Sequence, residues 1–140
     1  MSDPTVLAQI LARWDQVLKA ALAGSATVDR DRADAVCLEE APFVNVLVQE
    51  VPSTRFSDTT DRDEAHIDLR IYVRDDDPTM AAEAIHQIAH KALMADVQQP
   101  QPVAALRRIS ASFELQAADT TSLIKTVRYR AQYLTPATTL

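Results

Sequence analysis

The sequence predicts an α+β fold of two layers: a four-stranded, mainly antiparallel sheet with two helices on one face, in the order α-β-β-α-β-β. Three observations carry this. Two stretches repeat apolar residues at helical spacing, near the start and in the middle of the chain. One stretch, residues 64–74, alternates apolar and polar residues with a period of two. Two further apolar or alternating pairs lie beside turn signals, as hairpins require. Helices gathered on one face of hairpin-connected strands make a two-layer sandwich.

The first helix takes Val6, Leu7, Ile10, Leu11, Trp14, Val17, Leu18, Ala21 and Leu22 on one broad stripe. Asp3 is the expected cap and Pro4 the expected first residue. Asp15 and Lys19 stand four residues apart on the other side. Gly24 follows where a left-handed residue ends a helix. Residues 25–42 read less clearly. Val28 to Arg32 fits either a short edge strand or an irregular, solvated crossing.

Pro42 leads into the first strand of the hairpin pair, Phe43 to Val51, rich in β-branched residues, and Pro52 ends it. Residues 53–64 are expected to form a polar loop without strand period, and a loop of that length usually has a task. The next strand puts Ala65, Ile67, Leu69, Ile71 and Val73 on the core. His66, Asp68, Arg70 and Arg74 face water.

Asp77 and Pro78 open the second helix, and the run Asp75–Asp77 suits its positive end. Ala81, Ala84, Ile85, Ile88, Ala89 and Ala92 are the expected buried stripe. Pro100 and Pro102 break the chain after it. The last two strands alternate through Ile109, Ala111, Phe113 and Leu115, then through Leu123, Val127, Tyr129, Ala131 and Tyr133. Residues 116–122 are the turn between them. The expected domain is residues 1–136, with residues 137–140 a loose tail.

The chain has 140 residues, enough for one core without a metal or disulfide. Its one glycine excludes the glycine-rich phosphate loops. Cys37 is the one cysteine, so no internal disulfide is possible, which suits a reducing cytoplasm. The start of the chain does not read as a signal peptide, and no apolar run nears the roughly 20 residues of a membrane span. A net charge of −6 argues against a broad surface gripping nucleic acid.

Chemistry-bearing patterns are few. His86 and His90 share a helix at a spacing that could hold zinc, but Gln87 replaces the glutamate of a zinc protease. Both histidines are expected on a solvated face beside Glu83. Asp75, Asp76 and Asp77 fit capping better than acid–base catalysis. Asp58, Asp61, Asp63 and Glu64 lack the glycine of a calcium loop. Cys37 has no histidine partner in sequence. No catalytic, metal or cofactor residue is therefore assigned, and the chain does not read as an enzyme. Arg107-Arg108 and Arg128/Arg130 are the notable basic pairs. The latter fits an ion-pair stripe or a contact with another chain.

Together these features resemble the tail-terminator and tail-completion proteins of long-tailed bacteriophages. The likeness runs from Val6 to about Pro136. It rests on the amphipathic first helix, the strand led by Ala41-Pro42-Phe43-Val44-Asn45-Val46, and the alternating HIDLRIYVRDDD. The helix AAEAIHQIAHKAL and the closing VRYRAQYLTP complete it. The resemblance implies a virion structural protein, assembled in the host cytoplasm as a ring, typically of six copies. The ring sits on the head-proximal end of the tail, ends polymerisation of the tail tube protein and meets neck or head–tail connector proteins. DNA passes through its lumen without sequence-specific binding, an acidic lumen letting phosphates slide. No membrane is involved. The expected subunit or tube interface comprises Arg55, Phe56, Asp58, Asp61, Arg62, Asp63, Arg128 and Arg130. Two alternatives stand beside this reading: a neck or head–tail connector protein of related shape, and a small cytoplasmic metal- or ligand-binding α+β domain.

Overall fold

The structure is a computed structural model that describes residues 5–32, 41–116 and 119–137. Its elements are α1 (Val6–Ala21), β1 (Thr27–Arg30), β2 (Phe43–Glu50), β3 (Ser53–Arg55) and β4 (Thr60–Arg74). They continue with α2 (Pro78–Asp96), β5 (Ala105–Gln116) and β6 (Asp119–Pro136). Two helices and a mixed, mostly antiparallel open sheet make the expected α+β class, but the sheet has six strands rather than four. Its order is β1-β2-β4-β6-β5, with β3 paired to β4.

Both extra strands come from segments without an apolar period. β1 takes the edge-strand alternative for residues 28–32 and runs parallel to β2, with Thr27 opposite Phe43 and Arg30 opposite Val46. A parallel partner needs a long crossover, so nothing local announces it. Asp31 turns the chain with φ 58, a conformation that Asp tolerates. The expected loop 53–64 is instead mostly a hairpin: Ser53, Thr54 and Arg55 pair with Asp63, Arg62 and Asp61.

Local chemistry fixes the helix ends. Thr5 caps α1, its hydroxyl accepting from the Ala8 amide at 3.1 Å. The expected cap, Asp3 with Pro4, lies outside the described residues, as do Cys37, the rest of residues 33–40, residues 117–118 and the tail beyond Ala137; of the expected turn 116–122, Gln116 belongs to β5 and residues 119–122 to β6. Gly24 has φ 80, as the end of α1 requires. Asp77 caps α2 through the Met80 amide, and Pro78 opens it.

The core lies between one sheet face and the helices. Ile10, Trp14, Leu18 and Leu22 of the α1 end meet Val44 and Val46, the row Ala65–Val73, and Val127, Tyr129 and Ala131. Each large aliphatic side chain buried there contributes about 1.5–3 kcal/mol. Every second residue of β4 from Ala65 to Val73 is buried, as the alternation predicts.

Two burial expectations fail. The α2 stripe is Ala82, Ile85, His86, Ala89 and Leu93; of the expected stripe Ile85 and Ala89 are buried, while Ala84 is exposed and Ile88 is 38% exposed. The helix is rotated from the alanine-led stripe so that its larger side chains Ile85 and Leu93 point inward. Strand β5 lies past the helix layer. Ile109, Ala111, Phe113 and Leu115 alternate as a core strand would, yet every residue from Arg107 to Leu115 is exposed. α2 packs on β4 and β6, and α1 on α2, β1 and β6, which leaves the β5 edge open.

Candidate functional site

Strands β4 and β6 outrun the core at one end. Their pairing continues past Asp63/Tyr133, where Tyr133 is the last core residue of β6, to Thr60/Pro136, and β3 adds a third strand there. The result is a projecting arm rather than a loop. Its tip, residues 56–59, closes through the Phe56 and Ser57 amides donating to the Thr60 carbonyl, at 3.0 and 2.9 Å. The Ala137 amide donates to the Thr59 carbonyl at 2.9 Å, so the end of β6 is stapled to the tip.

Six of the eight sequence-assigned residues belong to this arm: Arg55, Phe56, Asp58, Asp61, Arg62 and Asp63. Arg62 stacks over the Phe56 ring at 5.2 Å, an arrangement that shields an aromatic side chain still 54% exposed. Leu134, opposite Arg62 across the ladder, is 44% exposed, so two apolar side chains stand at the arm in water. Leu134 was not among the assigned residues. Asp63 is structural as well, accepting from the hydroxyls of Ser53 and, at 2.8 Å, Thr135.

Arg128 and Arg130 stand elsewhere, on the sheet face that carries no helix. They pair in register with Asp68 and His66. Arg128 donates to both carboxylate oxygens of Asp68, at 2.8 and 3.2 Å, and this holds its guanidinium pKa above the ordinary value. Asp68 is 2% exposed despite its place on the expected wet face. The structure thus divides the assigned residues between an arm and an open face, and Arg128 takes the ion-pair alternative. Beside it His66 pairs with Glu50 at 3.1 Å, and Gln132 donates to Glu64 at 2.8 Å.

On the core side, α2 and β6 hold a polar network that the sequence reading put on a solvated face. Lys125 donates to Glu83 and to Nδ1 of His86, 2.9 Å away. That makes Nδ1 an acceptor, so His86 carries its proton on Nε2 and donates to the Tyr129 hydroxyl at 3.0 Å. Tyr129 in turn donates to Nδ1 of His90 at 2.8 Å. The chain of donors runs one way, and no buried polar side-chain atom among the described residues lacks a partner.

The electrostatics follow from burial. His86 is pushed down to about 4 by desolvation first and by the Lys125 charge second. His90 is lowered by burial and by Arg108. Burial raises the Tyr129 hydroxyl. The Lys125 hydrogen bond lowers Glu83. Trp14 meets the Tyr129 ring edge-on at 5.7 Å, fixing the phenol from behind.

The histidines therefore spend three of their four ring nitrogens on Lys125 and Tyr129. No group of three His, Cys, Asp or Glu among the described residues could hold a metal ion. A spacing signal was present: residues 82, 85, 86, 89 and 93 make an unbroken helical stripe once His86 is admitted to it.

The site geometry defines a class: an open α+β sandwich with a projecting arm and an uncovered strand, without a catalytic constellation among the described residues. No family model matches the chain, and no curated protein matches it in sequence. Among solved structures, its fold is similar to that of a chain from the virion of a native gene transfer agent particle. The TM-score is 0.52 at 17% identity, over 93% of this chain and 92% of that one. The two share a fold.

Proposed function

We propose that this protein is a virion structural component of a phage-like particle, with no enzymatic activity. It assembles as a ring on the head-proximal end of the tail tube, ends tube growth and joins the tail to the neck. The observation that supports this most is the fold match to a gene transfer agent virion chain, which spans nearly the whole of both chains. The arm supports it further. A hairpin stapled to β6 and carrying exposed Phe56 and Leu134 is a preorganised contact element.

In this reading Arg55, Phe56, Asp58, Asp61, Arg62 and Asp63 meet the tube protein or a neighbouring copy. Arg130, with Arg128 behind it, faces a second virion protein across the open sheet face. A ring of identical chains uses two different patches, one meeting the other. The test is tube length. Tail tube protein assembled with this chain gives short tubes closed at one end. A variant with residues 54–62 replaced by a short turn gives long, unclosed tubes. Normal closure by that variant would remove the arm from the account.

A further inference from the structure

The polar network between α2 and β6 ends in a donor that the fold leaves unused. An ammonium group can only donate, so Lys125 fixes the proton order from its end. Lys125 donates to His86, His86 to Tyr129, and Tyr129 to Nδ1 of His90. His90 therefore carries its own proton on Nε2. That N–H has no partner among the described residues, and it is not sealed in the core. It belongs to a groove of about 450 Å³ between α2 and β5, whose lining includes Met80, Glu83, Gln87, His90, Lys91 and Arg108.

Two unspent cations stand at the same groove. Arg108 lies opposite Tyr129 across the β5–β6 ladder, so it shares the helix-side face with the hydroxyl that serves both histidines. Its charge is felt at Glu83, His86, His90 and Tyr129. Lys91 follows His90 on α2, one turn beyond Gln87. Arg13, Lys19 and Arg128 each hold a carboxylate, but Arg108 and Lys91 form no ion pair among the described residues. The carboxylate in the groove, Glu83, is already taken by Lys125. The groove is thus cationic in a chain whose net charge is −6.

We infer that this groove is a binding site for a phosphate group, held by Arg108, Lys91 and the Nε2–H of His90. Arg108 supplies a fork of N–H donors that matches two phosphate oxygens, and Lys91 a point charge on a flexible stem. His90 supplies one directed donor, held in its tautomer by Tyr129 and, behind that, by His86 and Lys125. The groove is larger than one phosphate. It takes inorganic phosphate, or a small phosphate monoester whose carbon skeleton lies on Met80 and Ala84. The site is independent of the ring reading.

The experiment titrates inorganic phosphate into the full chain at neutral pH and follows the histidine rings by NMR. In the free protein the ring nitrogen shifts show His90 protonated on Nε2. Phosphate moves the His90 resonances saturably, as a single site, while His66 on the opposite sheet face stays in place. Chloride at equal ionic strength moves neither. Arg108→Gln and Lys91→Gln, both at exposed positions, keep the melting midpoint and each weaken phosphate binding about tenfold.

Ethyl phosphate separates the two sources. Tighter binding than inorganic phosphate assigns a monoester as the ligand, and equal or weaker binding assigns free phosphate. A His90 ring protonated on Nδ1 overturns the inference. So does a phosphate response that chloride reproduces, that is missing in the wild type, or that both variants retain in full.

Discussion

Lys125, on the inner face of the last strand, donates a hydrogen bond to Nδ1 of His86 on the second helix, 2.9 Å away. Its side chain is 3% exposed, and Glu83 at the rim of α2 accepts from it as well. The pair ties the helix layer to the sheet through polar contacts at the side where β5 leaves the core uncovered. Breaking it by Lys125→Met leaves Glu83 without its cation and His86 without a donor. The expected loss is about 1–3 kcal/mol in urea unfolding. A double-mutant cycle with Glu83→Gln apportions the two contacts.

The next link is the Tyr129 hydroxyl, which serves both histidines. Tyr129→Phe keeps the ring against Trp14 but deprives His86 and His90 of their shared partner. It is expected to cost about 1–3 kcal/mol, the penalty of a buried polar group left unpaired. Equilibrium unfolding measures it. The neutral outcome would mean that water replaces the hydroxyl.

The same network makes stability depend on pH. The unfolded chain protonates its histidines near the ordinary value of about 6.5. The folded chain protonates His86 only near pH 4, with Lys125, His90 and Arg108 opposing its charge and Glu83 favouring it. Between those values the unfolded state binds more protons, so stability rises with pH and is lost as acid is added. The expected loss is about 1–2 kcal/mol, below the full linkage value because the rim of the network meets water. His86→Gln flattens that slope. Unfolding midpoints across this range, with an NMR titration of the His86 ring, check both statements.

On the open face, Asp68 is 2% exposed and Arg128 covers it. Arg128→Ala uncovers a carboxylate set among strands. It is expected to destabilise by about 1–2 kcal/mol, less than a fully buried pair would, since Arg128 is half in water. Arg130→Ala, with no such carboxylate bonded to it, is expected to stay within about 0.5 kcal/mol. Thermal melts of the two variants compare them.

The arm predicts the reverse balance. Phe56→Ala and Leu134→Ala remove exposed groups, so stability changes by no more than about 0.5 kcal/mol. Their expected effect is on assembly, read as longer tubes in co-assembly with tail tube protein. A variant that loses stability but closes tubes normally would assign these residues to folding instead.

What the sequence disclosed and what it hid divide along one physical line. Patterns that depend on a segment alone were legible: the Trp14 stripe, the Ala65–Val73 alternation, the Asp77 cap and the left-handed Gly24. Features set by a distant partner were not. β1 forms because Phe43 to Val46 offers it a parallel edge. Residues 53–55 pair because β4 runs on past the core to receive them. The exposure of Phe113 depends on where the helix layer ends, which no alternation in β5 reveals. His86 was misplaced because the alanines at 81, 84 and 92 fit either side of α2. Only Lys125 and Tyr129, some forty residues away, make the inward side polar enough for a histidine. The segment 53–64 stood out by composition, but as a loop; its order comes from the pairing of β3 with β4 and from the β6 staple.

The most direct test of the account is the length distribution of tail tubes assembled from purified tube protein, imaged with and without this chain. The account predicts that the chain, itself an oligomer in solution, shortens the tubes and appears as a ring of density at one end of each. Tubes of unchanged length with bare ends, beside a chain that stays monomeric, would contradict it.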